Sequence, residues 1–180
     1  MMKIKSLAVF CGSKTGNDPL FVKEAEELGR FMAEKHIELI YGGGNKGIMG
    51  AVANAVLQNK GRVTGIIPKA LTEWEHQHEG ISELIVVETM HTRKHMLYER
   101  CDAAVILPGG FGTMDEMFEI LTWNQLKIHD KQIFIVNTGE YYKHLIAHIH
   151  HMQSADFLYE QAFDKIVFLA SVPELLPYLE

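Results

Sequence analysis

Short apolar runs alternate with amphipathic helical stretches along the whole chain, and this alternation limits the fold more than any other feature. Residues 7–11, 37–41, 62–67, 84–87, 103–107, 133–136 and 166–169 read as strands. Nearly continuous apolar character marks strands covered on both faces. Between them, residues 19–36, 45–60, 90–100, 112–127, 141–152 and 172–179 read as helices. Asp18-Pro19 supplies an N-cap and a first helical residue, and Gly61 a stop. Residues 69–82 are the least periodic and most polar, a loop with one helical turn. Repeated strand–helix units predict a three-layer α/β fold: a mostly parallel sheet of about seven strands, helices on both faces, right-handed crossovers. With no repeat, linker or low-complexity tract, residues 1–180 read as one domain.

Composition excludes several classes. The net charge is −6 without a basic run, a poor basis for general nucleic-acid binding. No stretch approaches the ~20 apolar residues of a membrane span. Cys11 and Cys101 are too few for a disulfide framework. The apolar start is too short for a signal peptide and reads as the first strand, so the expected compartment is the cytoplasm.

In parallel α/β folds, ligands bind at the carboxyl ends of the strands. Two such ends are glycine-rich. Gly42-Gly43-Gly44-Asn45-Lys46-Gly47-Ile48-Met49-Gly50 follows the second strand, and Pro108-Gly109-Gly110-Phe111-Gly112-Thr113 the fifth; together they hold eight of the 15 glycines. Each leads into a helix start, where unpaired N–H groups and the helix dipole favour a phosphate. Gly42, Gly44 and Gly47 formally match GxGxxG, but the match follows the second strand and no acidic residue ends the next one, so a dinucleotide fingerprint is a poor fit. No Walker-type GxxxxGK[ST] exists. The pattern suits one phosphate group.

Thr113-x-x-Glu116 has the spacing of a capping box, which accounts for both residues without a ligand. The functional alternative is a carboxylate kept near a bound anion to face positive charge that develops during reaction, as when a ribosyl group loses its base through an oxocarbenium-like transition state. Arg93, on the helix before the fifth strand, suits carboxylate or phosphate, though a solvated basic patch is the simpler reading.

Pro108-Gly109-Gly110-Phe111-Gly112-Thr113-Met114-Asp115-Glu116 matches the motif PGGxGTxxE and resembles the LOG (LONELY GUY) family, cytokinin riboside 5′-monophosphate phosphoribohydrolases often mislabelled lysine decarboxylases. Phe10-Cys11-Gly12-Ser13, Tyr41 to Asn45, Gly47 to Gly50, Met90-His91 with Arg93, Lys94 and Met96, and Thr122-Trp123 with Gln125-Leu126 agree with it, over about residues 7–145. The resemblance implies a Rossmann-like homodimer that hydrolyses AMP or N6-modified adenosine monophosphates to base and ribose 5-phosphate, with no cofactor and no metal. It implies catalysis by Arg93 and Glu116. It places Gly109, Gly110, Gly112 and Thr113 on the phosphate, Ser13 and Gly43 nearby, and Glu119 and Met96 in the pocket. Lys14 departs from it, standing where many members carry a small hydroxyl residue. A pyridoxal-phosphate decarboxylase would need a Schiff-base lysine with partners for phosphate and ring nitrogen, and nothing marks a lysine here for that role. A nucleotide or molybdenum-cofactor carrier on the same fold is the alternative.

His144, His148 and His151 can share one helix face, but no Asp, Glu or Cys joins them locally, so a solvated or interface face is expected over a metal site. Cys11 has no nameable base and reads as buried. Phe118, Leu121, Trp123 and Leu126 read as core or dimer interface.

Overall fold

The computed structural model describes residues 4–72 and 77–179. Seven strands, β1 (Ser6–Phe10), β2 (Glu38–Tyr41), β3 (Val63–Pro68), β4 (Glu83–Val87), β5 (Ala103–Ile106), β6 (Gln132–Val136) and β7 (Ile166–Leu169), form one sheet in the order β4-β3-β2-β1-β5-β6-β7. Every neighbouring pair is parallel, tighter than the mostly parallel sheet read from sequence. The connecting helices are α1 (Pro19–Glu34), α2 (Gly47–Gln58), α3 (Met90–Arg100), α4 (Phe111–Gln125), α5 (Lys143–Ser154) and α6 (Val172–Leu175). This is a Rossmann-like α/β arrangement.

The chain steps outward from β1 to β4, then returns to lay β5 on the other side of β1. At that reversal the loops after β1 and β5 lead away in opposite directions and leave a crevice. Successive β1 residues feed opposite faces because strand side chains alternate. Leu7 and Val9 join Leu28 and Met32 of α1 and Val52 and Val56 of α2 in one core. Ala8 and Phe10 join Leu97 and Tyr98 of α3 and Met117 and Ile120 of α4 in the other. Glu24, buried on α1, accepts hydrogen bonds from Thr138 Oγ1 and, at 3.3 Å, from Val172 N, which fastens α6 to the first core.

Several element ends differ from the sequence reading. The last helix stops at Leu175 and continues as a 3₁₀ turn, Leu176–Tyr178, because Pro177 has no N–H for an α-helical bond. The α5 helix starts at Lys143, after a 3₁₀ turn, Thr138–Glu140, with Gly139 at φ 58°. The 69–82 loop opens with a 3₁₀ turn, Lys69–Leu71, and returns to the sheet by a bridge from Gln77 to Gly44. Trp74 and His76 of that loop lie outside the described residues. Among the described residues no helix is long and apolar enough to cross a membrane.

Candidate active site

Helix α4 begins at the crevice. Its N-cap is Gly110, without a side-chain cap, and its first backbone bond runs from Met114 N to Gly110 O at 3.1 Å. The N–H groups of Phe111, Gly112 and Thr113 precede that bond and meet no acceptor among the described residues. Thr113 is therefore the third helical residue, not the cap, and the capping-box reading of Thr113 and Glu116 fails because the helix starts earlier than its spacing suggested. Thr113 is buried and lies over Gly109; a Cβ at Gly109 would collide with Thr113 Oγ1 and lie 2.8 Å from Gly12 N. At Gly110 and Gly112, by contrast, a Cβ would meet nothing within 4 Å.

The other glycine loop ends differently. At the start of α2, Ile48 N and Met49 N both donate to Gly12 O, at 3.0 and 3.2 Å. The chain leaving β1 thus caps α2 with a carbonyl, which corrects the expectation of unpaired donors at both helix starts. Gly43 is buried at φ 83°, and its carbonyl accepts from His78 N at 2.9 Å. It lies against the segment that returns from residue 77, beside the Gly44–Gln77 bridge.

Arg93 is 5% exposed. Its Nε donates to Ile66 O and its Nη2 to Gly42 O, each at 3.1 Å, so the guanidinium is locked to the ends of β3 and β2. Gly42 must be glycine for this, because a Cβ would collide with Arg93 Nη2. The solvated-patch reading of Arg93 is overturned by its burial. Glu116 is half-buried in the second turn of α4. Its charge reaches Cys11 at the end of β1, where burial first and that charge second push the thiol pKa far up. Cys11 is thus a protonated core thiol and no nucleophile.

A cavity of about 360 Å³ lies at the switch point, lined by Ser13 and Lys14 from the β1 loop and by Gly109 and Gly110. Phe21 and Tyr141 wall its far side, with ring centroids 5.7 Å apart, and Tyr141 Oη donates to Gly109 O at 2.6 Å. Neither aromatic carries a sequence signal, since helical spacing explains both. Glu119 is ion-paired with Lys94 at 2.8 Å, and Lys94 also meets Asp115 at 2.9 Å. Met96 is half-buried against the α3–α4 core. The structure thus gathers Ser13, Gly109, Gly110, Gly112 and Thr113 at the crevice. Glu116 and Glu119 follow on α4, Arg93 and Met96 stand on the neighbouring α3, and Gly43 follows Gly42, whose carbonyl Arg93 holds. Among the described residues no three His, Cys, Asp or Glu side chains group to hold a metal; His148 and His151 lie 6.4 Å apart, ring to ring.

A protein-family model described as possible lysine decarboxylase matches residues 49–179. A cytokinin riboside 5′-monophosphate phosphoribohydrolase from Rhodococcoides fascians is 43% identical over 155 residues, covering 86% of this chain and 78% of that protein. An Arabidopsis thaliana enzyme of the same name is 39% identical over 178 residues, covering 99% and 84%. The chain belongs to the family these enzymes share with that model. Among solved structures, the molybdenum cofactor binding protein of Rippkaea orientalis superposes with a TM-score of 0.73 at 19% identity, covering 99% of this chain and 97% of that one. At that identity the likeness shows the fold alone.

Proposed function

We propose that this chain is a nucleoside 5′-monophosphate phosphoribohydrolase. It hydrolyses the N-glycosidic bond of AMP and N6-modified adenosine monophosphates to free base and ribose 5-phosphate. The observation that carries this is the uncapped start of α4 at the switch point, with Glu116 one turn behind it. The N–H groups of residues 111–113 and the glycines before them anchor the 5′-phosphate. Ser13 joins them from the β1 loop. That anchor lies away from the bond that breaks, so its binding energy serves the reacting ribosyl centre. As C1′–N9 opens, its electron pair leaves with the base and positive charge spreads over C1′ and the ring oxygen. Glu116 faces that charge and orients the water whose oxygen bonds to C1′; the water's proton ends on the departing base. Arg93, fixed by Ile66 O and Gly42 O, holds a constant positive charge beside the ribose–phosphate. In this reading Glu119 on α4 and Met96 on α3 flank the bound nucleotide. Water is the sole co-reactant that the proposed reaction consumes.

The names of the relatives support this reading. The carrier alternative gains nothing from Glu116, since a passive phosphate binder is weakened by a nearby carboxylate. We read the protein as a single catalytic domain acting in the cytoplasm as a homodimer. Phe111 and Phe118 on α4, with Leu126 and Ile128 beyond it, are 96, 39, 56 and 61% exposed, apolar surface suited to a second copy. Sedimentation at twice the chain mass is the expected result.

The test of function is base release. Purified protein is incubated with AMP, its N6-isopentenyl analogue, GMP, CMP and adenosine, and products are separated by chromatography. Free base from the adenylates and none from adenosine is expected. Nucleotide binding without base release would hand the site to the carrier reading.

A further inference from the structure

Arg93 and Glu116 stand on different helices, and their relative placement needs a tie between α3 and α4. Tyr98, five residues after Arg93 on α3, supplies one. Its ring is 1% exposed and packs edge-on against Phe10 and Trp123, with centroids 5.8 and 4.8 Å away. Its hydroxyl donates to Glu116 O at 2.9 Å and lies 3.3 Å from Glu119 Oε2. A helix carbonyl has a second lone pair, so Glu116 O accepts this proton without giving up its place in α4. Burial, then the charges of Glu119 and Glu116, raise the phenol pKa, so the donor keeps its proton. Lys94 on α3 clamps the flanking Asp115 and Glu119.

We infer that Tyr98 is a positioning residue for the proposed hydrolysis: its hydroxyl sets the height of the Glu116 turn against the helix that carries Arg93. The inference rests on the proposed function. The α3 end of this tie is rigid, because Arg93 is locked to β2 and β3. A small displacement of a catalytic group lowers turnover more than binding, because the reacting geometry is stricter than the binding geometry. The phosphate anchor at residues 109–113 lies up-chain of the tie and is held separately by the contact of Thr113 with Gly109.

The experiment compares wild type, Tyr98→Phe and Trp123→Phe with AMP as substrate. Tyr98→Phe removes only the hydroxyl; Trp123→Phe loosens the same aromatic cluster and leaves the hydroxyl in place. The expected result is a fall in kcat of about 10-fold for Tyr98→Phe with KM within about twofold, and kcat within about twofold for Trp123→Phe. Amide exchange over residues 114–120 should quicken in Tyr98→Phe, which reports the same displacement without turnover. Wild-type kcat in Tyr98→Phe overturns the inference, and so does an equal loss in Trp123→Phe, which would assign the effect to packing. Base release absent from the wild type overturns the proposed function itself, and this inference with it.

Discussion

Two helix starts follow two glycine-rich loops at the same edge of one sheet, and they have opposite fates. The start of α2 is closed by Gly12 O, which takes Ile48 N and Met49 N. The start of α4 keeps the N–H groups of residues 111–113 without acceptors among the described residues. Glycine content and a following helix are common to both, so neither marks the anion site. What decides is the path of the chain leaving β1. It bends toward α2 and seals it, and in the same bend brings Ser13 and Lys14 to the cavity beside Gly109. One helix start is closed by the fold and the other stays open beside the cavity.

The largest expected effect tests whether α4 carries chemistry as well as an anchor. Glu116→Gln should cut kcat on AMP by about 100-fold or more with nucleotide affinity largely kept, read by steady-state kinetics beside calorimetric titration. Unchanged turnover would leave α4 with the anchor alone. Next, the closed start should be fragile toward folding. Gly47 sits at φ 62°, and a Cβ there would collide with the backbone of Ser13 and Lys14. Gly47→Ala should therefore cost about 2–4 kcal/mol in urea unfolding. The open start should respond the other way. Gly112→Ala meets nothing within 4 Å and should leave stability unchanged or slightly raised, while KM for AMP rises about 10-fold as the added methyl intrudes on the phosphate. If both alanines destabilise and neither touches KM, the contrast between the two helix starts is wrong.

The smallest effect is pH-dependent and belongs to the closed side. His78 is buried, its Nε2 lies 3.0 Å from Asn54 Oδ1, its Nδ1 accepts from Gly80 N at 3.1 Å, and burial lowers its pKa. The folded state then binds fewer protons than the unfolded one as pH falls below the usual histidine value near 6.5. Its contribution to stability is present at pH 7.5 and is lost toward pH 5. Urea midpoints at the two pH values should differ less in His78→Gln than in the wild type; an equal difference would exclude His78 as a source of the slope.

Periodicity carries the elements because the central strands are covered on both faces and the long helices on one, so apolar spacing reports directly on burial. Glu116 and Arg93 were legible through a motif, not through their surroundings. The capping-box misreading shows the limit: Thr113 and Glu116 have the right spacing, and only the backbone at Gly110 shows that the helix has already begun. The sealing of α2 by Gly12 joins segments about three dozen residues apart in sequence, and no local pattern encodes it. Tyr98 escaped for a related reason. Its face of α3 looks like ordinary core, and the carbonyl it reaches belongs to the next helix.

The locked guanidinium of Arg93 makes the site a gauge of the sheet that carries it. Its two acceptors are Ile66 O, two residues before the end of β3, and Gly42 O, just past β2, and beyond β3 lies the edge strand β4, whose Val86 is half in solvent. Fraying that began at this edge would reach Ile66 and release the arginine while β1, β5 and β6 still held together. Loss of the proposed turnover would then run ahead of loss of structure, and under mild stress the protein would fall silent before it came apart.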